Sequence, residues 1–148
     1  MTINQIQDEI IEEFSSFEDW MDRYSLLIEM GNELAPFPEE ARTEQNLIDG
    51  CQSRVWFTAT LDKQPESEGK EPVIRFLGDS DAILVKGIVA LLIRVLSGHT
   101  PREIMDADLY FIDRIQLREH LSPTRSNGLV AMLNQMRNYA RVYQSRLA

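Results

Sequence analysis

Apolar residues recur at Ile3, Ile6, Ile10 and Phe14, a spacing that lines one face of an α-helix. A second face follows at Trp20, Tyr24, Leu27 and Ile28, and Ser15-Ser16 between the two is expected to break the first helix and cap the second. "ELAPFPEEAR" then ends helical structure, because prolines at 36 and 38 do not fit inside one helix; Pro38 suits the opening of a short turn. In "SRVWFTATLD" the period drops to two. Val55, Phe57, Ala59 and Leu61 alternate with Trp56, Thr58, Thr60 and Asp62, which predicts a strand. A polar connector, "KQPESEGKEP", leads to a second strand at "VIRFLG", and neighbouring strands with a short link pair most readily as an antiparallel hairpin.

The turn "GDSDA" is expected to end the second strand and to supply N-cap oxygens for a helix over 81–97. That helix is apolar almost all round, so it should be the central one, packed on the sheet. "HTPREI" is a further start signal, with Thr100 as cap, Pro101 at the first position and Glu103 closing a capping box. A last long helix begins with Ser122 as cap and Pro123 next, its core stripe running through Leu129, Leu133, Met136, Ala140, Tyr143 and Leu147. The sum is an α+β protein in which residues 1–148 form a single domain, a short antiparallel β-sheet packed against helices.

Composition narrows the function classes. A chain of 148 residues buries a core without staples. Its one cysteine, Cys51, cannot make an internal disulfide, so a reducing cytoplasm is the expected compartment. The N-terminal "MTINQIQDEIIEEF" is acidic and amphipathic, unlike a signal or transit peptide. "AILVKGIVALLIRVL" is interrupted by Lys86 and Arg94 and is too short to span a bilayer, so no membrane partner is expected. The net charge of −9 is uneven: residues 1–40 carry eleven acidic side chains against Arg23 alone, while the remainder is nearly balanced. Without a basic stripe, no nucleic-acid partner is expected. The acidic face reads first as solvated surface and second as a docking surface.

Glycine-rich phosphate loops, paired metal-ligand cysteines and H-E-x-x-H are all absent from the sequence, so neither a cofactor nor a metal site is expected. His99 and His120 read as surface or capping residues. Cys51 stands apart. Gly50 before it permits a backbone bend, and "DGCQS" is polar turn chemistry on both sides, a setting that presents a thiol to another molecule. Reactivity requires thiolate: at a pKa of about 8.5 roughly 7% is ionised near pH 7.4, and lowering it by about one unit gives roughly 45%. Arg54 is near in sequence, but a strand position points it elsewhere. Arg125 lies in the first turn of the last helix, where the macrodipole disfavours a cation; it is either a chance surface residue or a partner for an anion elsewhere.

"LIDGCQSRVW", "GDSDAILVKGI", "TPREI" and "LSPTRSNGL", in this order and spacing, resemble the SufE-type sulfur-acceptor proteins, from about residue 20 to residue 140. The connector "DKQPESEGKEP" is longer than is usual in that family. The resemblance implies a fold shared with IscU-like scaffolds. It also implies that Cys51 accepts sulfane sulfur from a pyridoxal-phosphate cysteine desulfurase, stimulates that enzyme, and delivers the sulfur to an iron–sulfur cluster scaffold complex. Arg125 is then assigned electrostatic support, and Gly50 and Gln52 the shape of the loop. A carried persulfide must be sheltered yet presented, so two loop states are expected, with Leu47, Ile48, Val55 and Trp56 offering apolar cover. Two alternatives stand beside this reading. One is a cysteine-dependent hydrolase or thiol peroxidase using His99 or His120 as base. The other is an adaptor that docks on the desulfurase, with Cys51 incidental.

Overall fold

The computed structural model describes residues 1–51, 53–63, 65 and 71–147. Helices α1 (Ile3–Ser15) and α2 (Trp20–Asn32) come first, followed by single 3-10 turns at Glu39–Ala41 and Glu44–Asn46. Strands β1 (Val55–Asp62) and β2 (Val73–Ser80) form an antiparallel pair, in register from Val55 opposite Ser80 to Asp62 opposite Val73. Helices α3 (Ile83–Leu96), α4 (Pro101–Asp106) and α5 (Phe111–Arg114), a 3-10 turn at Arg118–His120 and the long α6 (Pro123–Leu147) complete the chain. The α+β class expected from the periodicities is the class observed.

The core lies where α3 meets the sheet. Nine of its residues are buried, among them Val89, Leu91, Val95 and Leu96, which are inaccessible to solvent. A helix apolar almost all round has little face to give to water, so it is enclosed by β2 on one side and α2 on another, with Lys86 and Arg94 reaching out to carboxylates. The α2–α3 contact is backbone against backbone: a Cβ on Gly87 would stand 2.3 Å from the Leu27 carbonyl oxygen, and one on Gly31 2.9 Å from the Gly87 nitrogen. Arg94 of α3 reaches Glu9 and Glu13 of α1, which neutralises part of the acidic N-terminal face.

Four local expectations change. The break at Ser15-Ser16 is present, but the cap of α2 is Asp19, whose Oδ1 accepts from the Met21 amide at 3.0 Å; Ser16 instead donates to the Glu13 carbonyl and closes α1. The buried face of α1 runs Ile3, Gln7, Ile10, Phe14, with Ile6 on its flank. Gln7 is tolerated there because its amide donates to the Asp108 carbonyl and its oxygen accepts from the Phe111 amide. "GDSDA" does not cap α3. Gly78, Asp79 and Ser80 stay in β2, Ala82 precedes α3 without a side-chain cap, and the two aspartates are engaged elsewhere. At the far end of α6, Leu147 is exposed rather than core-facing, while Tyr143 is half-buried and donates its hydroxyl to the Ala59 carbonyl. The α4 capping box of Thr100 and Glu103 forms as expected, with Pro101 in the first turn. Ser122 accepts from the Arg125 amide at 3.2 Å at the start of α6.

Candidate functional site

The segment before β1 is drawn back onto it. Leu47 bridges Trp56, and the Ile48 amide donates to the Val55 carbonyl at 2.9 Å, so residues between them form a loop closed at its base. Cys51 lies near its tip, immediately after Gly50, which adopts φ +91°, a left-handed conformation that other residues resist. Gln52 lies outside the described residues. On its far side the loop is tied to the β2–α3 turn by two bonds: the Arg54 amide donates to Asp81 Oδ1 at 3.1 Å, and the Asp81 amide donates to the Arg54 carbonyl at 3.2 Å.

The chain entering the loop is clamped separately. The Arg42 guanidinium lies 5.4 Å from the Phe37 ring centre and 4.9 Å from that of Trp56, and it donates to Asp79 of β2. Lys86 Nζ approaches the other Asp79 oxygen at 3.4 Å. Burial alone would raise the Asp79 carboxyl, but the Arg42 hydrogen bond, the Ser80 amide and the Lys86 charge outweigh it and hold the group below the usual carboxylate range. The cover of cation and rings also explains why Trp56, on the polar side of the β1 alternation, is buried.

Cys51 is half-buried and packs against the edge of the core. Its thiol points at α6 and donates to the Gly128 carbonyl oxygen at 3.7 Å. Burial pushes the thiol above its ordinary value. A bond donated by the neutral thiol acts in the same direction. Both effects favour the neutral thiol over the thiolate. Of the residues expected to offer apolar cover, Ile48, Val55 and Trp56 are buried and Leu47 is half-buried, and the sulfur itself lies against Gly128 of α6.

Arg125 is exposed, in the first turn of α6 and three residues before Gly128. Arg54 is exposed on the strand side of the loop. Neither histidine is arranged as a base for the thiol. His99 is buried with Nε2 3.0 Å from the Met1 carbonyl oxygen, in a groove shared with Gln144 and Leu147. Gly128 and Leu147 stand roughly 28 Å apart along α6 at about 1.5 Å per residue. His120 is stacked on Trp20 with ring centres 3.8 Å apart, and its Nδ1 is 3.1 Å from the Gln116 carbonyl oxygen. Among the described residues no three His, Cys, Asp or Glu side chains are grouped to hold a metal ion, and no helix is long and apolar enough to cross a membrane.

The comparisons with known proteins bear on this loop and its surroundings together. A family described as "SufE: Fe-S metabolism associated domain" matches residues 8–140. The chain belongs to the SufE family. An uncharacterised SufE-like protein of Rhizobium etli is 41% identical over 136 residues, covering 91% of this chain and 89% of that one. The solution structure of a hypothetical protein from Thermus thermophilus superposes with a TM-score of 0.74, covering 95% of this chain and 96% of that one; at 22% identity the likeness is one of fold. Membership of the SufE family ties the chain to iron–sulfur metabolism.

Gly128, Arg42, Asp79 and Asp81 are the site residues that sequence reasoning missed. A signal existed for the first, since a glycine inside an otherwise regular helix usually marks a close approach. Arg42 carries none, because its partners are distant in sequence.

Proposed function

We propose that this SufE-family protein is a sulfur carrier. It accepts sulfane sulfur as a persulfide on Cys51 from a pyridoxal-phosphate cysteine desulfurase, stimulates that enzyme, and passes the sulfur to an iron–sulfur cluster scaffold complex. The observation that carries the reading is the placement of the chain's one cysteine: half-buried beside Gly50 at φ +91°, with its thiol on the Gly128 carbonyl and both histidines engaged by other groups. A hydrolase or peroxidase needs an activated nucleophile next to an oriented base. A carrier needs the opposite at rest, a thiol sheltered from stray thiols that becomes reactive when its donor docks. The absence of a second cysteine removes the internal thiol that would displace the sulfur as a disulfide. A free working thiol suits the cytoplasm. Arg125 supplies electrostatic support to the thiolate in the presented state, and Gly50 and Gln52 shape the loop.

Sulfide release by a cysteine desulfurase, measured with cysteine and a reductant, tests the reading. The protein should raise turnover several-fold and Cys51→Ser should abolish the gain. Equal stimulation by Cys51→Ser would instead establish a docking adaptor.

A further inference from the structure

We propose that Gly128 is the seat of the Cys51 sulfur: its missing side chain reserves the space in which the thiol, and then the persulfide, is tucked. The inference rests on the carrier reading and assigns a positioning residue to it. Gly128 is the sixth residue of α6 and is buried. It is not among the positive-φ residues, so the backbone does not require glycine there. In a helix interior glycine costs about 1 kcal/mol relative to alanine. Something other than helix geometry must favour it. Among the described residues, and apart from its own helix, the three atoms nearest to a Cβ built on Gly128 all belong to Cys51: Sγ at 3.4 Å, Cα at 3.9 Å and Cβ at 4.0 Å. The thiol also uses the Gly128 carbonyl as its acceptor. Gly50 completes the fit on the same helix, since a Cβ there would stand 3.4 Å from the Ala131 methyl.

A methyl at 128 would touch the thiol and fill the space beside it. A persulfide extends the side chain by one S–S bond of about 2 Å, so the charged form needs that space more than the reduced form does. Charging itself is a transfer without outside oxidant. The Cys51 thiolate attacks the terminal sulfur of the donor's cysteine persulfide, the new S–S bond forms as the donor's breaks, and the donor leaves as a thiolate that takes up the proton Cys51 released. Gly128 acts after this step, by letting the loaded loop close.

The test compares wild type with Gly128→Ala in three measurements: melting temperature, alkylation rate of the reduced thiol by iodoacetamide, and the rate at which dithiothreitol strips sulfur from the charged protein. A glycine without a role at the loop predicts a more stable variant with both sulfur rates unchanged, and that result overturns the proposal. A methyl 3.4 Å from Sγ is in ordinary contact with the reduced thiol, so a seat predicts alkylation changed little and persulfide loss about tenfold faster, because the outer sulfur finds its space filled and the charged loop is held out. If neither protein takes up sulfur from the desulfurase, the carrier reading fails, while reductive loss of a methylthio group placed on Cys51 by methyl methanethiosulfonate, which adds the same S–S bond, still decides whether Gly128 makes the space. Should Gly128→Ala fold poorly, Cys51→Ala in the same background must restore the melting temperature, and failure to restore it overturns the proposal.

Discussion

A thiol on a turn is ordinarily wet and partly ionised, but the Cys51 thiol is half-buried, and burial together with its carbonyl acceptor favours the protonated form. The sign of the pH effect follows. With the folded pKa above the unfolded value of about 8.5, the unfolded chain gives up the proton first, so the thiol's contribution to stability is intact below that pH and is lost as pH rises through the folded value. Alkylation of the free protein should accordingly be slow near neutrality, with a midpoint above that of a small exposed thiol, and should quicken when an inactive desulfurase is added; a rate already matching a small thiol, unchanged by the partner, contradicts two loop states. Arg125 offers a second residue-level prediction. Removing a cation from the first turn of α6 relieves the helix dipole, so Arg125→Ala should leave the fold intact or stabilise it by about 0.3 kcal/mol. Sulfur transfer from the desulfurase should nevertheless slow about tenfold or more, the loss of one favourable charge interaction worth about 1.4 kcal/mol. Stopped-flow transfer kinetics beside a thermal melt separate the two effects, and an unchanged transfer rate removes Arg125 from the mechanism.

Elements were legible where a period repeats and opaque where a side chain answers to something far away. The two strands, the central α3 and the Thr100–Glu103 box follow from alternation, apolar content and local capping chemistry. "GDSDA" misled because aspartates before a helix are good caps, yet Asp79 is drawn to Arg42 and Lys86, and Asp81 to the Arg54 amide. Those partners lie up to 37 residues away and leave no periodic trace. The α2–α3 contact is a partial case: Gly31 and Gly87 are helical glycines, as Gly128 is, but only the packed structure reveals that the two face each other. Gly87→Ala should therefore destabilise the protein by about 3 kcal/mol or more, against the stabilisation helix propensity alone predicts, because the methyl meets rigid backbone. Chemical denaturation measures it, and a variant as stable as wild type would show that α2 and α3 can separate at little cost.

At the scale of the molecule, the sheet and helices hold the Cys51 loop against the second turn of α6. The base of the loop is fixed by the Leu47–Trp56 bridge, its entry by the Arg42 clamp, its exit by Asp81, and its tip rests on α6. Among the described residues of the loop, the tip is held to α6 by a long thiol–carbonyl bond, and the alkylation measurement tests whether it moves while the rest stays folded. The turn at Gly50 and Cys51 was readable from sequence; that its thiol turns inward onto α6 was not, because the receiving surface lies 77 residues further along the chain. The negative charge gathered in residues 1–40 is carried mainly on α1, α2 and the turns after them, and part of it is already paired with Arg94. The central claim is that sulfur resides on Cys51, and intact mass tests it most directly. After incubation with a cysteine desulfurase and cysteine, and without reductant, the protein should gain one sulfur atom that Cys51→Ser does not gain. No added sulfur on the wild-type protein, or the same gain on Cys51→Ser, would contradict the account.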